Sequence, residues 1–89
     1  KVYNDIFVQV SPNPGNGLYT VQVSGLEQDG LYLPMQILDA SGKVVHNWNL
    51  VWYDDMYTSQ VSIFEEPAGM YFVRFKRSDI PVLVKLIKQ

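Results

Sequence analysis

Few residues in this chain could do chemistry, and their spacing gives them little to work with. His46 is the only histidine and there is no cysteine, so neither a thiolate–imidazole pair nor a thiolate metal site can form. A Ser–His–Asp set is open by count, but no nucleophile-elbow pattern presents a serine. Asp54-Asp55 is a single acidic step without the series of oxygen ligands that a calcium loop supplies. Paired carboxylates for glycoside hydrolysis cannot be placed. The chain therefore reads as a non-enzyme with no metal and no cofactor, and His46, beside Trp48, as a hydrogen-bonded strand residue.

Aromatic residues offer a second kind of chemistry. Trp48, Leu50 and Trp52 alternate onto one face, which reads as core, and leave Tyr53 and Tyr57 outside or at the end of the fold. An exposed platform would suit a sugar ring and would make this a carbohydrate-binding module. The core reading is preferred, because a small domain without disulfides needs its large side chains inside.

Charge is the third. The net charge of −2 argues against a nucleic-acid binder, yet it hides an asymmetry. Residues 1–70 carry two basic and eight acidic groups; residues 71–89 carry Arg74, Lys76, Arg77, Lys85 and Lys88 against Asp79 alone. Lysines so placed either blunt an exposed sheet edge or meet a partner.

The elements that must hold these residues are strands. Period-two alternation dominates and no useful helical stripe is present. Ile6, Val8 and Val10 share one face, then Tyr19, Val21 and Val23, then Leu33, Met35 and Ile37, then Val61 and Ile63. Turn signals separate them: Pro12-Asn13-Pro14-Gly15-Asn16-Gly17, Glu27-Gln28-Asp29-Gly30 and Asp39-Ala40-Ser41-Gly42. The chain closes with Met70 to Lys76 and Val82 to Lys88, turning near Ser78-Asp79. About seven strands in 89 residues predict an all-β, two-sheet antiparallel sandwich, immunoglobulin-like in architecture only. Tyr71, Val73, Phe75, Val84 and Leu86 should be largely buried, with Leu83, Lys85 and Ile87 outward and Lys88 read as an outward surface lysine. Residues 1–5 read as a linker remnant and 6–89 as one domain, cut from a longer parent. No apolar run approaches the roughly 18 residues that span a bilayer.

Four landmarks stand in order: Pro12-Asn13-Pro14, Asp39-x-x-Gly42-Lys43-Val44, Pro67-x-Gly69-x-Tyr71-Phe72-Val73, and Lys85-Leu86-Ile87-Lys88 before Gln89. Together they resemble the C-terminal sorting domain of the type IX (Por) secretion system, in its type A form, from about Ile6 to Gln89. The departures are Glu65-Glu66 before Pro67 and a longer, more aromatic stretch from Trp48 to Tyr57. The resemblance implies a signal that takes an N-terminal cargo of the same chain from the periplasm through an outer-membrane translocon. A surface sortase then usually removes it, leaving cargo at the cell surface or secreted. The partners implied are translocon and sortase proteins, with no nucleic acid, no membrane insertion and a monomeric domain. Lys85, Leu86, Ile87, Lys88 and Gln89 are the candidate recognition residues. Pro12, Asn13, Pro14, Asp39, Gly42, Lys43, Pro67, Gly69 and Tyr71 are expected to specify the fold, Gly69 by relieving crowding where its strand starts. The alternative is a carbohydrate-binding or adhesion β-sandwich.

Overall fold

The computed structural model describes residues 6–77, 80 and 83–89. The linker expected at 1–5, the turn at Ser78-Asp79 and the inward Val82 lie outside the described residues. Seven strands form: β1 (Phe7–Ser11), β2 (Leu18–Ser24), β3 (Tyr32–Asp39), β4 (Val44–Tyr53), β5 (Met56–Ser62), β6 (Gly69–Phe75) and β7 (Leu83–Lys88). Every pairing between these strands is antiparallel, and no helix occurs among the described residues.

The expected two separate sheets are not what the hydrogen bonds draw. One sheet runs β1-β2-β5-β4-β3-β6-β7 and rolls until its two edges nearly meet. Its join is the β4–β5 hairpin, where pairing is confined to Val51↔Thr58, Trp52↔Tyr57 and Tyr53↔Met56 beside the turn. Asp54 and Asp55 form that turn with φ of 52° and 65°, the doubly positive pattern of a two-residue type I′ hairpin. Beyond it the strands part, and the Trp48 indole donates to Ser59 Oγ across the gap at 3.2 Å. A ladder that stays intact only at the tip lets one sheet bend as a sandwich corner would.

Alternation places the core as the sequence implies. Tyr19, Val21, Val23, Leu33, Met35, Ile37, Leu50, Tyr57, Val61, Ile63, Tyr71, Val73, Phe75 and Leu86 are buried together. Ile6, Val8, Val10, Trp48, Trp52 and Val84 pack against them, partly buried. Val84 is thus half-buried rather than largely buried, because it lies near the start of β7, the last strand of the sheet. Tyr53 is outside, 72% exposed, but Tyr57 is fully buried. Its ring meets Trp52 edge-on, and its hydroxyl donates toward the Asp29 and Gly30 carbonyls while accepting from Asp29 N–H. Three interior tyrosines follow this plan, each with its apolar ring in the core and its hydroxyl on a backbone carbonyl near the rim.

Strictly alternating strand directions gather the β1–β2, β3–β4 and β5–β6 connections at one end, together with Lys88. All four landmarks reach that end.

Candidate recognition surface along the last strand

The site begins with what happens to the free edge of β7. An edge strand presents unpaired N–H and C=O groups, and here the loop after β1 takes them. Asn13 lies flat against the strand: its Nδ2 donates to Lys85 O at 2.8 Å and its Oδ1 accepts from Ile87 N–H at 2.9 Å. The carboxamide does what a neighbouring peptide unit would do. Gly15 N–H then donates to Ile87 O at 3.0 Å, and Gln89 N–H donates to Gly15 O at 2.8 Å, making a short parallel bridge between Gly15 and Lys88. The Tyr19 hydroxyl donates to the same Ile87 carbonyl at 2.8 Å. From Lys85 to Gln89 the outer edge of β7 is occupied.

The loop fits because of its composition. Ser11-Pro12 and Asn13-Pro14 are both cis peptides, and the proline rings take no amide from the seam. Gly15 is buried, and a Cβ there would stand 2.6 Å from Tyr19 Cε1 and 2.7 Å from the Pro12 carbonyl oxygen. Asn13 and Gly15 therefore grip the last strand, in a loop that Pro12 and Pro14 help steer into β2.

The second and third landmarks join from the other side. β6 pairs with β7 through Gly69↔Lys88 and Tyr71↔Leu86, and with β3 through Asp39↔Tyr71. Asp39, Gly69 and Tyr71 share one open groove with Ala40, Ser41, Ala68 and Met70. Asp39 Oδ1 accepts from Ser41 N–H, Ser41 Oγ and Lys43 N–H at 2.9, 2.6 and 3.0 Å. These bonds, the Ser41 hydroxyl's foremost, hold the Asp39 carboxyl below the ordinary aspartate range. Gly42 takes φ of 91° in that turn, the left-handed conformation glycine adopts freely; Lys43 lends the turn its backbone while its side chain is exposed. Tyr71 donates to the Pro67 carbonyl, and burial, then the Glu66 and Asp39 charges, push its hydroxyl pKa up. Gly69 corrects the crowding argument: nothing lies within 4 Å of a Cβ placed there, but its φ is 153°, so backbone conformation selects the glycine.

The recognition candidates divide. Leu86 is fully buried and is core. Lys88 shares its inward parity, and its Nζ donates to Phe64 O at 2.9 Å and to Glu66 O; it clamps the β5–β6 turn rather than standing free. Gln89 is exposed in its side chain and tied by its backbone. Lys85 is exposed and Ile87 half-buried on the outer face, beside Leu83 at 55% exposure. Across the ladder they face Phe72, Met70 and Arg74 respectively. The Lys85 ammonium has no hydrogen-bond or ion-pair partner among the described residues. The result is an apolar outer strip with a basic group in its middle.

Sequence reasoning did not foresee that Asn13, Gly15 and Tyr19 would bind a strand some seventy residues away. It also missed what gathers around His46. Its Nε2 lies 3.0 Å from Glu65 Oε1 and 3.2 Å from Glu66 Oε2, yet neither contact meets hydrogen-bond geometry and the buried nitrogen has no hydrogen-bond partner. Glu65-Glu66 was visible only as a departure from the resemblance.

With this geometry in place, comparison with known families is direct. Residues 9–89 match the model of the secretion system C-terminal sorting domain. No curated protein matches the chain.

Proposed function

The chain belongs to the secretion system C-terminal sorting domains and is a sorting signal for type IX secretion; from that membership we propose how the signal is read. The family is one of secretion signals rather than catalysts, and its role takes cargo across the outer membrane to the cell surface or the medium. In our reading the signal is a folded surface, with Lys85, Leu83 and Ile87 of β7 and Phe72 and Met70 of β6 meeting the translocon. The motif residues around them hold that surface in shape. Cargo lies N-terminal to the domain, passes through the periplasm and is freed by a surface sortase. The domain, residues 6–89 after a short linker, acts as a monomer that neither binds nucleic acid nor enters the membrane. The rolled sheet, split beyond the β4–β5 tip, supports reading the fold as a sandwich of β1-β2-β5 against β4-β3-β6-β7.

One observation carries the proposal. The β7 edge is already sealed from Lys85 to Gln89 by Asn13 and Gly15, so Lys85 is not needed there to prevent edge pairing. What β7 still offers is its outward side chains. Fusion of the domain to a periplasm-exported fluorescent protein tests the signal itself. In a bacterium with the type IX pathway the fusion should reach the surface or the medium, and in a translocon-deficient strain it should stay in the periplasm. Retention of the intact fusion in both strains would refute the sorting function.

A further inference from the structure

We propose that His46, Glu65 and Glu66 form a binding site for one divalent transition metal ion, with zinc as the type ion. Their ligand atoms lie within 4.8 Å of one another. Two ligands each about 2.1 Å from a common ion stand roughly 3.0–3.4 Å apart at bond angles between octahedral and tetrahedral. The Nε2···O separations of 3.0 and 3.2 Å fall in that range, while the set spans up to 4.8 Å, a gap that Glu65 must close to share the ion. The nitrogen is buried and makes no hydrogen bond to either oxygen.

The supports are rigid where a metal site needs them to be. His46 sits on β4, with its side chain 17% exposed. Glu66 is fixed by a turn in which its N–H donates to Ile63 O at 3.0 Å, while Ile63 N–H donates to Gly17 O at 2.7 Å. Lys88 holds the same turn through the Phe64 and Glu66 carbonyls, so its ammonium is directed at backbone oxygen. Glu65, with a side chain 60% exposed, is free to swing the last distance inward. A neutral imidazole and two carboxylates give the donors that zinc or manganese accepts, whereas calcium takes oxygen alone. A bound ion would staple the β5–β6 turn to β4 in a domain with no cysteine. Nothing in this inference depends on the sorting role.

Calorimetry and thermal melts of the chelator-treated domain with zinc, manganese and calcium test it. Zinc should bind one-to-one and raise the melting midpoint, with calcium at least ~10-fold weaker. His46→Gln and Glu66→Gln should each weaken zinc ~10-fold or more, a loss of the size seen when the support of a metal ligand is removed. Glu65→Gln alters an exposed side chain and keeps the test decisive if His46→Gln fails to fold; it too should weaken zinc. Cobalt substitution should give a visible ligand-field spectrum in the parent and not in His46→Gln. No zinc binding, or binding of equal strength in the parent and all folded variants, overturns the proposal.

Discussion

Asp39 organises its turn through one side-chain oxygen and its own peptide groups. Three donors converge on its Oδ1, while its backbone N–H bonds the Lys43 carbonyl at 2.8 Å and its carbonyl accepts from Gly42 N–H at 3.0 Å. The folded state therefore prefers the carboxylate, and the Asp39 carboxyl titrates below its ordinary value. The sign follows: this stabilisation is complete above the unfolded value of about 3.9. It is lost as pH falls through the lower folded-state value. Asp39→Asn keeps an acceptor oxygen and loses the charge. Its melting midpoint should lie below the parent's at neutral pH, and the gap should close on acidification through that window. A gap unchanged by pH would mean that the charge contributes nothing. The Asp-x-x-Gly spacing made this turn legible, because both residues act within one short stretch of chain. Lys88 was harder to read: its parity with Val84 and Leu86 was visible, but the carbonyls it reaches belong to a turn more than twenty residues away.

Among elements, the strands were legible and their closure was not. The inward sets of β2 and β6 alternate without interruption, as does that of β3 up to the register shift between Ile37 and Leu38, and burial of one face enforces that register. Asp54-Asp55 hid the tightest hairpin, since aspartate is a weaker signal than Asn-Gly for two positive φ values. The Pro12–Gly17 loop was readable as a break, but its grip on β7 is a long-range contact with no local signature. Its worth can be measured. Asn13→Ala removes two hydrogen bonds to β7, each contributing about 0.5–1.5 kcal/mol. Because Asn13 is exposed, we expect a loss of roughly 1–2 kcal/mol in urea unfolding with an unchanged m value. The Ile87 amide, which donates to Asn13, should also lose hydrogen-exchange protection. Unaltered stability and protection would show that β6 and the core alone hold β7.

For the whole molecule, antiparallel order does what no single motif could. Loop 12–15, β7, β6 and the β3–β4 turn lie side by side, so landmarks scattered from Pro12 to Lys88 become one continuous surface at one end. The two strands that carry most of the chain's basic groups, β6 and β7, run into that surface. The central claim is that the machinery reads outward side chains on this surface and that the motif residues shape it. Lys85 separates these roles better than Lys88, whose ammonium serves the fold. The direct measurement is export of the fluorescent fusion carrying Lys85→Ala, beside the melting midpoint of the same variant. A side-chain change at an exposed position typically shifts stability by within about 0.5 kcal/mol. The account predicts an unchanged midpoint with less cargo at the surface and in the medium. A Lys85→Ala domain that melts like the parent and exports cargo as well as the parent would contradict it.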